Sequence, residues 1–246
     1  GYENYAGGVA ALNDTTTGYQ NVAVGHIAGY SVNSGYRNTC LGSLAGDLIT
    51  TGNNNVLIGH DVGSYGVNLT TGSNNVLIGS YCHPSAGAAD TQIAIGYDVT
   101  ANGNSNFTFG KSSTDTSCDF GSVTWVLPSD ERIKEEIKDD VVGLSFINDL
   151  KPRTFRYRKE KDIPEALKAH VKDSEERFRT EKYQHGFIAQ EVKEAIDKHS
   201  DLKDGFEMWS ENANDGRQMV GPTAVIPMLV KAIQELSAEV EKLKGE

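Results

Sequence analysis

Residues 4–110 repeat one short hydrophobic pattern, in which three apolar positions follow an Asn and precede a Gly. Four of these runs are Val22–Val24, Val56–Ile58, Val76–Ile78 and Ile93–Ile95. Short runs of β-branched and aliphatic residues between turn-forming residues predict very short strands. A second short segment follows each Gly, as at residues 26–29, and it predicts a second strand. Two short strands in each copy of the repeat are typical of one coil of a β-solenoid.

The repeat has the form Gly-x-x-Asn-x-x-x-Gly, and its closing glycines recur with a dominant period of 17. They stand at positions 8, 25, 42, 59, 79, 96 and 110. We expect the repeated Asn to form an amide ladder from coil to coil and the glycines to supply positive φ at the corners. Gln92 replaces the Asn in one copy, and the interval from Gly59 to Gly79 is longer than the others. These departures predict that one coil is looped out.

Residues 4–110, with these copies, resemble the head repeats of trimeric autotransporter adhesins. The resemblance implies a left-handed parallel β-roll, with three such rolls packed side by side. A stiff rod whose sides or end contact a host-surface glycan or receptor is the function that this part indicates. A glycosidase would need two carboxylates at a defined separation, and the eight acids of residues 1–128 are scattered.

Two histidines at equivalent repeat positions are the other candidate chemistry of this part. His26 and His60 are two coils apart with Ser43 between them, so they could line a site. No Cys or carboxylate stands where it would complete a metal set, which leaves a surface or packing role as the alternative. We expect neither a metal nor a cofactor.

The pattern changes after residue 128 to that of an α+β domain. Residues 154–158 alternate and predict a strand, and the charged residues 164–182 predict an exposed helix or helical hairpin. Residues 183–192 predict a strand that runs into an amphipathic helix ending near Asp197. A polar loop is expected at 211–217.

The C-terminal residues 222–246 predict a helix with a heptad seam. Its apolar positions are spaced alternately by three and four residues: Ile226, Leu229, Ile233, Leu236, Val240 and Leu243. The seam predicts a coiled coil, and the alternative is an amphipathic helix docked on its own domain. The side-chain types at these core positions favour two strands, whereas the resemblance of the roll implies three, and we favour three because the roll repeat is longer.

Charge divides the chain at the same place. Residues 1–128 contain eight acids and two bases, and residues 129–246 contain 26 acids and 21 bases. A net charge of −11 argues against a binder of nucleic acid, which needs a concentrated basic surface. No apolar run is long enough to predict membrane insertion.

Cys40, Cys82 and Cys118 lack metal or disulfide spacing and predict reduced thiols.

The junction carries the strongest candidate chemistry, a serine and a lysine five residues apart. Ser129 and Lys134 would approach each other if a helical turn began at Ser129, and a desolvated lysine can activate a serine hydroxyl. The alternative is that Ser129 is the N-cap of an acidic helix and that Lys134 is a solvated ion-pair partner.

Three blocks in order resemble the C-terminal intramolecular chaperone domain of viral tail spikes and fibres, the endosialidase type. They are Ser129-Asp130-x-Arg132-x-Lys134, residues 186–192 and residues 226–236. The resemblance implies a domain that trimerises, assists folding of the chain before it and then severs itself on the N-terminal side of the serine. It makes Ser129 the nucleophile, Lys134 the general base and Pro128-Ser129 the scissile bond. Asp130 and Arg132 would orient the turn or pair across subunits.

We therefore predict a homotrimeric fragment of a fibre or spike, assembled in the host cytoplasm and carried on the virion surface. Residues 1–121 would be the β-roll, and residues 122–246 a single-turnover serine autoprotease and chaperone. The alternatives are a non-cleaving trimeric adhesin with a permanent C-terminal cap and a carbohydrate-active enzyme on the roll.

Overall fold

The structure, a computed structural model, describes residues 1–122, 124–202 and 206–245, which form two compact units. The first unit is Gly1–Glu135 and the second is Glu136–Glu246. The first unit extends beyond residue 121 because Ser117 and Val126 exchange backbone hydrogen bonds of 3.1 and 2.9 Å. The predicted start of the chaperone region at residue 122 stays a prediction.

The first unit is a β-solenoid built on one sheet of eight short strands, in sequence order. The strands are β1 (Tyr5–Gly7), β2 (Val22–Val24), β3 (Thr39–Leu41), β4 (Val56–Ile58), β5 (Val76–Ile78), β6 (Gln92–Tyr97), β7 (Asn106–Lys111) and β8 (Thr116–Asp119). Neighbours from β1 to β7 are parallel, and each residue pairs with its repeat equivalent one coil away, as Cys40 does with Leu57. The solenoid predicted from the repeat is therefore confirmed.

In the three-residue strands β2–β5 the middle residue is buried in the core, and the first and third residues are at least partly exposed. Ala23 and Leu57 are fully buried, whereas Val22 and Val24 are 38% and 40% exposed. We call the outward side of strands β2–β7, up to the corner glycine of each coil, the strand face. Its exposed apolar side chains are Val22, Val24, Ile58, Ile95 and Phe109. Each coil thus has one apolar surface in the core and another on the strand face.

The prediction of a second strand in each coil is wrong. The segment after the first complete repeat, around Ile27, forms turns instead. Ile27 and Leu44 occupy equivalent positions at φ 61° and 60°, a left-handed conformation that a strand cannot contain. Ala28 and Ala45 follow them and are fully buried, so the turns still contribute to the core.

A buried amide ladder joins the coils, as the recurring Asn predicts. Asn38 N and Nδ2 donate to Asn21 Oδ1 at 3.0 and 3.1 Å, and Asn38 Nδ2 also donates to Gly52 O at 2.8 Å. The same contacts join Asn55 to Asn38 and Asn75 to Asn55. Each of these amides is bonded to the coil before it and the coil after it, so the ladder specifies the register of stacking.

The two predicted departures from the repeat are local. The long coil forms a loop after Gly63, which Leu69 N closes by donating to Gly63 O at 2.8 Å. Gln92 N still donates to Asn75 Oδ1 at 3.1 Å, but its side chain leaves the ladder and bonds with Ser85. The longer side chain is therefore accommodated by the loop before it.

The corner glycines have φ between +117° and +147°, as predicted. Gly42→Ala is expected to destabilise the solenoid by about 3 kcal/mol, because the added Cβ would lie 2.1 Å from Gly59 O, a backbone atom. Gly103→Ala is the matched control, since Gly103 has φ +149° and nothing lies within 4 Å of its added Cβ. The control should cost about 1 kcal/mol from backbone strain alone. Equal losses in thermal unfolding would show that coil contact at Gly42 is unimportant.

The last strand closes the sheet in the opposite direction. Strand β8 pairs antiparallel to β7, with Phe107 opposite Cys118 and Phe109 opposite Thr116. Trp125 packs edge-on against Phe107 and Phe109 at 5.8 and 5.4 Å between ring centroids. The parallel stacking of coils therefore ends at β7.

The described residues of the second unit form three α-helices and two antiparallel strand pairs. They are α1 (Leu144–Asp149), β9 (Arg153–Phe155), β10 (Gln184–Gly186), α2 (Ala189–Lys198), β11 (Trp209–Glu211), β12 (Gln218–Val220) and α3 (Ile226–Lys244). Their core is built on buried apolar side chains that include Phe146, Val192, Met208 and Met228. The predicted α+β class, the strand leading into α2 and the polar loop before β12 are confirmed.

Helix α3 docks on its own unit and still exposes the heptad seam. Met228 and Ala232 are buried, and Leu144 N of α1 donates to Glu235 Oε2 at 2.8 Å. The seam lies on another side, and Ile233 and Leu243 are 65% and 73% exposed. The predicted helix 222–246 is a 3-10 turn at Pro222–Val225 followed by α3, and its predicted last residue, Glu246, lies outside the described residues. The interpretation as a docked helix is therefore confirmed, whereas the coiled coil stays a prediction.

The helix predicted at residues 164–182 is wrong, because this segment forms turns. Its charged side chains hold the loop together: Lys159 and Lys161 both bond with Glu175, and Ser174 Oγ donates to Glu160 at 2.7 Å. Val171 is 48% exposed, so the sparse apolar residues do not give a helix a face to bury. The predicted strand 154–158 is also shorter, and it ends at Phe155.

Candidate functional site

The junction brings a serine hydroxyl and a lysine amine into direct contact. Lys134 Nζ donates to Ser129 Oγ at 2.7 Å. A 3-10 turn at Glu131–Ile133 reverses the backbone between them, and Lys134 follows it in an extended conformation. The contact joins the two residues predicted as nucleophile and base, whose catalytic roles stay a prediction.

Asp130 caps this turn, so the alternative in which Ser129 is the N-cap is wrong. The Asp130 carboxylate accepts a hydrogen bond of 2.9 Å from Arg132 N. A short carboxylate side chain with extended backbone is well suited to bind the first amide groups of a turn. The Ser129 hydroxyl, one residue earlier, contacts Lys134 instead.

Arg132 fixes the capping carboxylate from its other side. Arg132 Nε and Nη2 donate to Asp130 Oδ1 and Oδ2 at 2.8 and 2.6 Å. These bonds hold the pKa of the Asp130 carboxyl below its ordinary value and raise the pKa of Arg132. The pair is therefore intact above the ordinary range of Asp and weakens as pH falls through the lowered pKa. Both side chains are exposed, so the pair orients the turn and adds little stability.

Solvent surrounds the Ser129–Lys134 contact. Both side chains are exposed, and the flanking apolar residues Leu127 and Ile133 are each 66% exposed. A lysine becomes a base when burial disfavours its ammonium form. The single chain does not supply that burial, and the apolar side chains beside the contact are exposed to solvent. Nothing in the sequence pattern marked Leu127 and Ile133 as part of the site.

The remaining candidates on the roll do not form a reactive cluster. His26 and His60 are exposed, and the His60 ring packs edge-on against Tyr81 at 5.4 Å between centroids. Among the described residues, no group of three or more His, Cys, Asp or Glu side chains is arranged to hold a metal.

The three cysteines are free thiols and buried, as predicted. Burial raises the pKa of Cys40 to about 12, so this thiol stays protonated and unreactive.

Comparison with known proteins finds a similarity in the second part of the chain. A protein-family model described as chaperone of endosialidase matches residues 129–201. The match begins at Ser129 and includes the block at 186–192, whereas the block at 226–236 lies beyond its end. No curated protein and no solved structure matches the chain. Over the described residues, no helix is long and apolar enough to cross a membrane.

The structure and the family match agree on the order of the chain. A β-solenoid of about six turns precedes the matched region, and a C-terminal helix follows it. Residues 129–201 thus match the chaperone-of-endosialidase family model, in the arrangement that the sequence motifs predicted.

Proposed function

We propose that this chain is part of a viral fibre or spike whose C-terminal domain trimerises it, assists winding of the solenoid and then cuts the Pro128-Ser129 bond. The family match supports the chaperone role. The observation that carries the cleavage is the 2.7 Å contact between Lys134 Nζ and Ser129 Oγ, at the residue where the match begins. The roll, carried on the virion surface, contacts a host glycan or receptor.

The proposed reaction begins with neutral Lys134, which takes the proton of Ser129 Oγ as that oxygen attacks the carbonyl carbon of Pro128. The Pro128 C–Ser129 N bond then breaks, and the Lys134 ammonium returns its proton to the departing amine. Pro128 is left as an ester on Ser129 Oγ. Water hydrolyses the ester, with Lys134 again as base, and yields a carboxylate at Pro128 and a free amino group at Ser129.

Assembly supplies what the single chain lacks at this site. In the single chain the lysine donates to the serine, whereas a general base would accept the serine proton. The contact therefore corresponds to a resting state. Burial of Lys134 by neighbouring copies disfavours its ammonium form and reverses that polarity. The exposed Leu127 and Ile133 are the surfaces through which such burial would occur. Cleavage then follows assembly and does not precede it.

Two apolar surfaces are available for three copies to associate. Ile233 and Leu243 represent the exposed heptad seam of α3, and the strand face carries Val22, Val24 and Ile58. Contiguous exposed apolar surface on a protein of this size is typical of an interface. A trimeric helix seam would hold three rolls at high local concentration while their coils find register.

The experiment compares the wild type with a chain carrying Leu229→Ser and Leu236→Ser, by sedimentation and by intact mass over time. The wild type should be a trimer that separates into residues 1–128 and 129–246. The double variant should be monomeric and cleave at least about a hundredfold more slowly, because the lysine stays solvated. Lys242→Ser, on the same helix but outside the seam, is the control and should behave as wild type.

Each other outcome identifies the failed step. A monomeric double variant that cleaves at the wild-type rate would show that assembly does not activate the site. A wild-type trimer that remains in one piece would contradict self-cleavage and would favour a permanent trimerisation cap on a non-cleaving adhesin.

A further inference from the structure

The solenoid carries two groups of aromatic side chains that differ in the angle between neighbouring rings. Tyr2, Tyr19 and Tyr36 recur at equivalent positions of successive coils and stack face to face, with centroids 5.0 and 4.8 Å apart and planes within 5°. Each inner face of this stack is covered by the next ring. The Tyr stack is therefore a packing device of the coils, comparable to the amide ladder.

The second group has its rings turned against one another. Tyr81 lies 5.0 Å from Tyr65 at 59° and 5.7 Å from Tyr97 at 90°, measured between ring centroids. Tyr65 and Tyr97 are 52% and 51% exposed. Tilted rings do not cover one another, so this cluster leaves aromatic surface in contact with solvent. We call Tyr65, Tyr81 and Tyr97 the tyrosine patch.

The patch is produced by local departures from the repeat. Tyr65 lies in the loop that follows Gly63 in the long coil. Tyr81 occupies the repeat position that is Asp61 one coil earlier and Asp98 one coil later, and all three have φ between 54° and 61°. A ring thus stands between two carboxylate positions. Neither coil packing nor the repeat requires that arrangement, because Ile27 and Leu44 fill the same position in other coils.

The patch does not coincide with the apolar surface proposed for trimer formation. That surface is the strand face, which ends in each coil just before the corner glycine, at Ile58 in β4 and at Ile95 in β6. The patch lies beyond the corner glycines: Tyr65 and Tyr81 are on the turn side of the coil, and Tyr97, the last residue of β6, follows Gly96. Association of three rolls through their strand faces would therefore not require the patch.

The chemistry of the patch selects its ligand. A pyranose ring presents a face of C–H groups that packs on an aromatic ring, and its hydroxyls donate to carboxylates beside that ring. Asp61 and Asp98 provide carboxylates next to Tyr81. The neighbouring bases are Lys111, opposite Tyr97 in register, His60, edge-on to Tyr81, and His83, whose Nε2 is 4.0 Å from Asp98 Oδ1. With the histidines counted as neutral, two carboxylates against one lysine give a net negative surface, which disfavours sialic acids, uronates and sulfated sugars.

We propose that the tyrosine patch is a binding site for an uncharged oligosaccharide. The three rings extend across two coils and the long loop, so they fit a chain of several sugars better than a single sugar. The site gives the surface contact proposed for the roll a location and a ligand class, and it does not depend on self-cleavage.

The test uses the full 246-residue chain and immobilised cellohexaose, maltohexaose, laminarihexaose and mannohexaose, with polysialic acid and heparin as charged probes. We expect binding to at least one neutral hexaose and weaker or no binding to the charged probes. Tyr65→Ala and Tyr97→Ala should each weaken that binding about tenfold, equivalent to about 1.4 kcal/mol. Tyr2→Ala, which alters the stacked group, is the control and should bind as wild type.

Thermal unfolding of each variant establishes that the roll is folded, since Tyr65 and Tyr97 are half-exposed. Failure of all four neutral probes, preference for a charged probe, or wild-type binding by both patch variants would each overturn the proposal. Intact mass of the same samples reports self-cleavage separately. A chain that binds sugar but is never cut leaves the tyrosine patch standing and refutes the autoprotease alone.

Discussion

Ser129→Ala is expected to remain a single chain of 26.6 kDa under conditions in which the wild type separates into two pieces at Pro128-Ser129. The substitution removes the oxygen that Lys134 Nζ contacts at 2.7 Å, and an uncatalysed peptide bond is stable for far longer than an expression experiment. Denaturing gels and intact mass measure the result. Ser113→Ala, at an exposed position on the roll, is the control and should leave cleavage unchanged.

Lys134→Met tests the base with nearly the same side-chain length. We expect cleavage to slow by about 10²–10⁴-fold, the usual contribution of a positioned general base. Lys138→Met, four residues later and exposed, should cleave as wild type. Hydroxylamine should accelerate fragment release in the wild type, because it attacks the ester on Ser129 Oγ. Cleavage of Ser129→Ala at the same bond, or an unchanged rate in Lys134→Met, would remove these residues from their roles.

Asn55→Ala is expected to destabilise the solenoid by on the order of 4 kcal/mol, the largest effect that we predict for a single residue of the roll. Asn55 Oδ1 accepts from Asn75 N and Nδ2, both at 3.0 Å, and its Nδ2 donates to Gly72 O and Asn38 Oδ1, both at 2.9 Å. Alanine would leave buried polar groups without partners in the coils on both sides. The loss should appear as a lower midpoint in thermal unfolding.

Asn13→Ala is the matched control for the ladder. Asn13 is exposed, and its Nδ2 donates to Asp14 Oδ1 within the same coil. We expect a change within about 0.5 kcal/mol. Both variants are best measured in the Ser129→Ala background, so that cleavage does not alter the unfolding species. A loss at Asn55 no greater than that at Asn13 would mean that apolar burial alone holds the coils together.

The repeat predicted the solenoid because local and long-range requirements coincide in it. An Asn at a fixed offset from a Gly is visible in the sequence, and its ladder partner is simply the next copy. The second segment of each coil was predicted wrongly because Ile27 and Leu44 have apolar, strand-like side chains but left-handed backbones. That conformation is imposed by the neighbouring coils, and residue preferences alone do not indicate it.

The second unit was predicted well where its apolar pattern is periodic and poorly where ion pairs determine the conformation of the chain. The apolar face of α2 is periodic, and it packs on the core through Val192 and Ile196. Residues 164–182 have the charge of an exposed helix, but Glu175 binds two lysines across the loop, which no linear pattern reveals. At the junction, the sequence identified Ser129 and Lys134, whereas capping by Asp130 emerges only from the geometry.

Strand β8 has a consequence for the length of the solenoid. Because β8 runs antiparallel, it terminates the stack after β7 and leaves the coils before it interchangeable in their backbone pairing. Insertion of a further copy of the repeat between β3 and β4 would lengthen the stack by one layer of about 4.8 Å without altering the terminating strand or the junction. The number of repeats therefore sets the length of the solenoid. We expect related solenoids to differ in length by gain or loss of whole coils before a constant C-terminal end.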